Sequence, residues 1–234
     1  MAGNPNFDNE EDGASSSRSF LLSVLSCGVV CIAAFSQGVL LMWVNPVLPQ
    51  LVNGTDHDDH LPPLDDIKLS FVTSAHNIGS MIGAAFSGPV LMLAKFLGLH
   101  RMFPILALLS TLSWFLTSTV PHYQAVIAGR ALAGLFVTTL ASLSPNYIAA
   151  VAPESYRPVL LSMFNVIRNV GMNATALVGA YLSWPVMSNV FGTIPPIILV
   201  LSFWFLQPVK NNPYRTLDNQ VLTVRLEYFK GFKS

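Results

Sequence analysis

Charge is what this sequence has least of: only 10% of its 234 residues are Asp, Glu, Lys or Arg. A water-soluble domain carries roughly 25%, so the chain lacks the polar surface to coat itself in water. Cysteine is scarcer still. Cys27 and Cys31 are the only two, which excludes a disulfide-dense secreted scaffold and a zinc site built on CxxC pairs. Neither sign of charge is in excess, with 12 basic and 12 acidic residues and a pI near 7.0, so no basic face marks a nucleic-acid partner. The chain also lacks a GxxxxGK[ST] loop, an HExxH and a GxSxG. No motif therefore supports an ATPase, a metalloprotease or a hydrolase, and none asks for a cofactor or a metal. What is abundant is apolar: 52% of the residues, with a mean hydropathy of +0.54. That is the composition of an integral membrane protein, and the expected fold class is all-α.

The few charges are also unevenly spread. Thirty-seven uncharged residues separate Arg18 from Asp56, and 26 separate Lys68 from Lys95. Residues 102–129, 131–153 and 169–209 are charge-free as well. One helical crossing takes about 20 residues, so each gap holds one span or two. Barrel strands are a poor alternative, because they alternate apolar with polar and Ile105-Leu106-Ala107-Leu108-Leu109 does not. Pro121-His122-Tyr123 and Ser183-Trp184-Pro185 break the longer gaps. The expected spans are six: about 20–44, 69–93, 102–120, 124–148, 158–182 and 186–207. The first is no cleaved signal peptide, since it is too long and acids precede it where such peptides carry positive charge.

The positive-inside rule gives an orientation. With a cytoplasmic N-terminus, the inner connections carry Lys95, Arg101, Arg157, Lys210 and Arg215, whereas the outer ones carry only Lys68. The first outer loop is acidic and holds Asn53-Gly54-Thr55, a glycosylation sequon usable only outside the cytoplasm. The expected organisation is a disordered cytoplasmic tail over 1–19, a six-helix bundle over 20–207 and a polar cytoplasmic tail over 208–234. In that last tail, Val221 to Phe229 has the spacing of a short amphipathic helix.

Within the spans, small residues recur at four-residue spacing: Gly79 and Gly83, then Ala125, Gly129 and Ala133. Such spacing lets helix backbones approach closely in lipid, and bundle packing is its expected role. No acid lies in any span, so the titratable group that a proton-driven carrier generally needs is missing. Two arginines do fall at membrane depth. Arg130 is either a functional charge or a cap on carbonyls of neighbouring helices. Arg168 lies 11 residues past Arg157, about 16 Å along a helix. His76 and Asn77 are expected to hydrogen-bond between helices, Cys27 and Cys31 to act as small apolar residues, and Trp43 to anchor at the interface.

Gly129-Arg130-Ala131-Leu132-Ala133-Gly134-Leu135, continuing through Ser144-Pro145-Asn146-Tyr147 and Ala152-Pro153 to Arg157, resembles the sugar porters of the major facilitator superfamily. Their fourth span and following loop read roughly GRxxxGLxxG…PxYxxExAP…RG. Leu40 to Pro49 is similar to the GWTSPALP segment of arthropod facilitated trehalose and glucose transporters. Asn212-Pro213-Tyr214 resembles the PESPY motif after span six, and Leu226 to Gly231 the LxWLRG helix of the central cytoplasmic region. The family's GPLxDxxGRR loop is altered here, with Lys95 where the acid belongs, and Ala150 replaces the glutamate after span four.

This resemblance implies one six-helix half-bundle of the major facilitator fold, completed in the family by a second bundle with the substrate between them. It assigns Arg101, Arg130 and Arg157 to gating ion pairs at the inner face. It gives the sugar-contacting amide position to Asn165, on a cavity face shared with Arg168 and Met172. The implied activity is facilitative transport of a hexose or trehalose by alternating access, in a multi-pass protein of the plasma membrane. The alternative is a truncated, transport-inactive paralogue acting as an interaction protein. The implied partners are the lipid bilayer, the sugar once a second half is present, and a homo- or hetero-oligomer.

Overall fold

The computed structural model describes residues 5–53, 64–120 and 122–206, the side chains of 5–20, 53 and 95 excepted. Every regular element in them is helical. The order is α1 (Pro5–Met42), α2 (Val44–Asn53), α3 (Asp66–Leu97), α4 (Leu99–Ser118), α5 (Tyr123–Val151), α6 (Arg157–Gly179), α7 (Trp184–Gly192) and α8 (Ile194–Phe205). The Asp-rich segment 54–63 and the tail 207–234 lie outside the described residues, as do the expectations made for them.

Prolines explain the breaks. Pro46 cannot donate to the carbonyl of Met42 and its ring crowds that carbonyl, so the first crossing bends at Trp43 into α1 and α2. Pro195 and Pro196 do the same to the carbonyls of Phe191 and Gly192, and the last crossing breaks at Thr193 into α7 and α8. Between α3 and α4 the turn is one residue, Gly98, at φ 92. A side chain would be strained there, and glycine is not. The tail over 1–19, expected to be disordered, is helical from Pro5 onward. Extending a helix already nucleated by an apolar span adds a hydrogen bond per residue at little cost, and Pro5 sits where no donor is required.

Five stretches are long and apolar enough to cross a membrane: Leu21–Val52, Asp66–Ala94, Leu99–Ser118, Tyr123–Val151 and Trp184–Phe205. The expected fifth span, α6, is long enough at 23 residues, or about 34 Å. Composition keeps it out of that set, because Ser162, Asn165, Arg168, Asn169 and Asn173 dilute its apolar residues.

Two parallel helix pairs organise the bundle. In α3/α5, a Cβ on Gly79 would overlap the Ala131 carbonyl, one on Gly83 would meet Leu135 and Thr138, and one on Gly134 would overlap the His76 carbonyl. In α1/α6, a Cβ on Gly38 would overlap the Arg168 carbonyl and one on Gly171 the Phe35 carbonyl. Bare backbone at these points is what lets the helices come this close. The packing role expected for Gly79 and Gly83 is met, and Gly129 seats in the same manner against Ser113 and Thr117 of α4. The helices also fall into two triplets, α1–α3–α4 and α5–α6–α7/α8. Exchanging them turns the α1/α6 pair into α5/α3 and returns the α4/α8 contact to itself. That is the pattern of an internal repeat.

The two ends of the bundle differ. One gathers Gly98, Arg101, the 152–157 turn, and Ser26 hydrogen-bonded to the Phe205 carbonyl at 2.6 Å. The other gathers Leu64, bonded to Leu51, and Lys68, whose carbonyl accepts from the Tyr123 hydroxyl at 3.1 Å.

Candidate functional site

At 100° per residue, α6 has three faces. Phe164, Gly171, Thr175 and Gly179 are buried, against α1 and its neighbours. Val159, Val166, Val170 and Leu177 form an exposed apolar face suited to lipid. The third face, within about 80° of arc, is Ser162, Asn165, Asn169 and Asn173, all exposed. A polar strip on a membrane helix is costly against hydrocarbon, so it belongs toward protein or a water-filled path.

The strip offers neutral hydrogen bonding. Asn165 donates to the Leu161 carbonyl at 3.1 Å and Asn173 to the Asn169 carbonyl at 2.8 Å. Each amide keeps its oxygen and a second N–H free for a ligand. Arg168 and Met172, both half-buried, sit at the border of the strip toward α1, so the helix does bring Asn165, Arg168 and Met172 into a sector of about 60°. No Asp or Glu stands within 157–205, and Arg168 has no ion-pair partner among the described residues.

Arg130 is elsewhere. It is 2% exposed, donates from one terminal nitrogen to the Leu40 carbonyl at 3.1 Å, and lies 4.8 Å from the centre of the Trp43 ring. Of the two readings left open, capping a neighbouring helix's carbonyl is the one its hydrogen bond fits. Its Nε has no partner. Twenty-one residues of α5 separate it from Val151, about 31 Å, so it stands far from the end that holds Arg101 and Arg157. Those two do share an end, Arg101 exposed and Arg157 half-buried. Arg130 therefore does not join Arg101 and Arg157 at one end of the bundle, as the resemblance implied. Asn53 closes α2, and the rest of its sequon lies outside the described residues.

Trp43, expected at the membrane interface, is fully buried. Its Nε1–H donates to Ser188 Oγ at 2.8 Å, and its ring meets Trp184 edge-on at 6.4 Å between centroids. The bend at Pro46 turns this residue inward, and α7 supplies the acceptor. Gln50 extends the network: its Oε1 accepts from the Trp184 N–H at 2.6 Å, and its Nε2 donates to the carbonyls of Gly179 and Leu182. Gln37 donates to the Val137 carbonyl at 2.6 Å, while its oxygen and the Ser36 hydroxyl remain unpartnered. None of Ser36, Gln37 or Gln50 was singled out from the sequence. Adjacent polar residues inside a 37-residue uncharged run were the available signal for the first two. His76 is buried against the Arg130 backbone of α5 without a well-formed hydrogen bond at either ring nitrogen, and Asn77 is exposed. Among the described residues, no three His, Cys, Asp or Glu groups gather as metal ligands.

The profile of the Major Facilitator Superfamily matches residues 29–231. The chain belongs to this superfamily. A sugar transporter of Arabidopsis thaliana, ERD6-like 18, is 24% identical over 207 residues, covering 86% of this chain and 41% of its own length. The galactose–proton symporter of Escherichia coli is 30% identical over 145 residues, covering 58% of this chain and 29% of its own. The crystal structure of a D-xylose–proton symporter superposes with a TM-score of 0.66 at 18% identity, over 90% of this chain and 53% of that one. At that identity it shows the fold alone. The chain thus spans less than half the length of the curated relatives it matches. As a Major Facilitator protein it is a multi-pass membrane protein, it forms one half-bundle of that fold, and its relatives are transporters, not enzymes.

Proposed function

We propose that this chain is the first bundle of a facilitative sugar carrier, with a hexose or trehalose as substrate. The observation that carries the reading is the polar strip of α6. Asn165, Asn169 and Asn173 present neutral amides on a span that otherwise shows lipid an apolar surface. Sugar hydroxyls are neutral donors and acceptors, and amides satisfy both roles. Asn165 is the proposed contact with the sugar, with Met172 as an apolar flank and Arg168 at the rim. In this reading a second bundle closes on the strip and the two rock around it. Arg101 and Arg157 act at the cytoplasmic gate, and the N-terminus is cytoplasmic in the plasma membrane. The relatives named above are a plant and a bacterial protein. The trehalose reading rests on the similarity of Leu40 to Pro49 to the arthropod segment.

A second reading is an interaction protein that inserts without transporting. Arg168 favours it, because an unpaired cation beside the amides suits a neutral sugar poorly. Uptake separates the two. Cells or proteoliposomes carrying the chain are given labelled glucose and trehalose, alone and with a co-expressed second bundle from a related carrier. Saturable uptake abolished by Asn165→Ala supports the carrier. Correct insertion with no uptake in either format supports the interaction protein.

A further inference from the structure

Between α1 and α6 runs a groove of about 470 Å³, walled on α1 from Val24 to Phe35 and on α6 by Leu160, Met163 and Ile167. Its volume is within the roughly 300–1,000 Å³ typical of small-molecule sites. No side-chain nitrogen or oxygen lines it; its side-chain heteroatoms are all sulfur, the thiols of Cys27 and Cys31 and the thioether of Met163. Three features identify what fits. The first is length. Val24 to Phe35 covers 12 residues, about 16 Å from first to last, which is half of a hydrocarbon core about 30 Å thick. The groove begins beside Leu21, where the apolar stretch begins, and ends near mid-membrane, so it matches one leaflet.

The second feature is direction. Leu160, Met163 and Ile167 lie about 150° around α6 from Asn169, so the groove opens away from the polar strip and toward lipid. The third is charge. Arg157 stands one turn before Leu160 at the same end of the groove. It is half-buried, and its Nε has no partner among the described residues. Glu154, the nearest acid in sequence, is exposed and makes no ion pair with it. An apolar slot one leaflet deep with a half-buried guanidinium at its mouth matches an acyl chain joined to a phosphate.

We propose that this groove holds one acyl chain of an acidic phospholipid, its headgroup phosphate engaged by Arg157. The site depends on the chain crossing a membrane and not on the substrate it carries. Gly28 makes it testable, because a Cβ there meets nothing within 4 Å. Gly28→Leu fills the groove without a backbone clash and raises helix propensity. Met163→Trp fills it from the other wall.

The full chain is reconstituted in nanodiscs with phosphatidylserine or phosphatidylcholine bearing a diazirine near the chain terminus, irradiated, and mapped by peptide mass spectrometry. The expected adducts concentrate on 24–35 and 160–167, with phosphatidylserine labelling several-fold above phosphatidylcholine. Gly28→Leu or Met163→Trp, at unchanged melting temperature, lowers those adducts at least fivefold. Arg157→Gln removes the preference for serine lipid and keeps the adducts. Adducts spread evenly over the exposed apolar faces, or unaffected by both filling variants, overturn the proposal. So does a second copy occupying the groove, read as disulfide dimers through Cys27 or Cys31.

Discussion

The guanidinium of Arg130 lies over the ring of Trp43 at 4.8 Å, and the same arginine donates to the carbonyl of Leu40, one turn before that tryptophan. The two contacts fasten α5 to the point where the first crossing bends. Trp43 passes the link on to Ser188, and Gln50 ties the next turn to Trp184 and Gly179. Among the described residues the buried charge has no acid to balance it. Its burial is complete within this one bundle, so a second bundle could not reach it without repacking. Ring face and carbonyl are what hold it.

The coupling between these residues can be measured. Trp43→Leu should destabilise the chain more in the wild-type background than in Arg130→Met. The cation–π part should appear in a double-mutant cycle as about 0.5–2 kcal/mol, read from melting in detergent by intrinsic fluorescence. Arg130→Met alone should be neutral or stabilising, since an apolar side chain of similar volume removes a buried charge. Equal effects of Trp43→Leu in both backgrounds would show that the ring and the guanidinium are merely neighbours.

Glycines in the two parallel pairs should behave oppositely to glycines in open positions. Gly38→Ala or Gly171→Ala places a Cβ on a backbone carbonyl of the partner helix. Overpacking of this kind costs about 1–3 kcal/mol. Gly88→Ala meets nothing within 4 Å, so it should be neutral or stabilise by up to about 1 kcal/mol through helix propensity. Melting temperatures that fall alike in all three variants would contradict the close approach of α1 and α6.

Much of the fold was legible because a bilayer enforces simple rules. Charge-free gaps and proline breakers placed the five stretches long and apolar enough to cross, and the helix α6, to within a few residues at most ends. The α3/α5 clasp was visible as Gly79 and Gly83 at four-residue spacing. Its counterpart in α1/α6 was not, because neither Gly38 nor Gly171 has another glycine four residues away and no spacing marks a contact between distant segments. Trp43 misled for a related reason. Aromatic residues near a span end usually anchor at the interface, and only the bend at Pro46 together with Ser188 turns this one inward. Asn165, Arg168 and Met172 fell on one face by period alone. The strip that gives that face its character also needed Ser162, Asn169 and Asn173, whose importance emerged once the buried side of α6 was fixed by Gly171 and Thr175.

Topology gives an independent prediction. Asn53 should carry a glycan in eukaryotic cells, seen as a mobility shift that glycosidase and Asn53→Gln both remove. Asn173, in the second Asn-x-Thr of the chain, should stay unmodified, because it lies mid-helix in α6 with Thr175 fully buried. Absence of any glycan on the inserted wild-type chain would count against the proposed orientation.

Uptake, where present, should be indifferent to protons. No Asp or Glu occurs within 67–118, 123–151 or 157–205, nor within 21–53, so no carboxylate is available at membrane depth to take up and release a proton. Initial rates should be flat between about pH 5.5 and 7.5 and unaffected by a protonophore. Sugar-induced alkalinisation of the medium would show that a group in the completing bundle drives the cycle.

Arg168 offers the sharpest test of the substrate face. It borders the amide strip with its charge unpaired, and its carbonyl is the one that Gly38 packs against. The backbone there is fixed by α1, so replacing the side chain should alter chemistry at the face without loosening the helix. A guanidinium beside Asn165 favours an anion over a neutral sugar, and a charge-assisted hydrogen bond of this kind is worth about 1.5–3 kcal/mol. Glucuronate or gluconate should therefore compete with labelled glucose at least tenfold better in the wild type than in Arg168→Gln. Arg168→Gln should leave the melting temperature unchanged and bind glucose no worse. Arg168→Lys should retain the preference for the acid, since charge rather than the planar fork is the deciding property. Competition by the acidic sugar that is equal in the wild type and Arg168→Gln would place this arginine outside the substrate path, with its charge reaching toward headgroups along the helix.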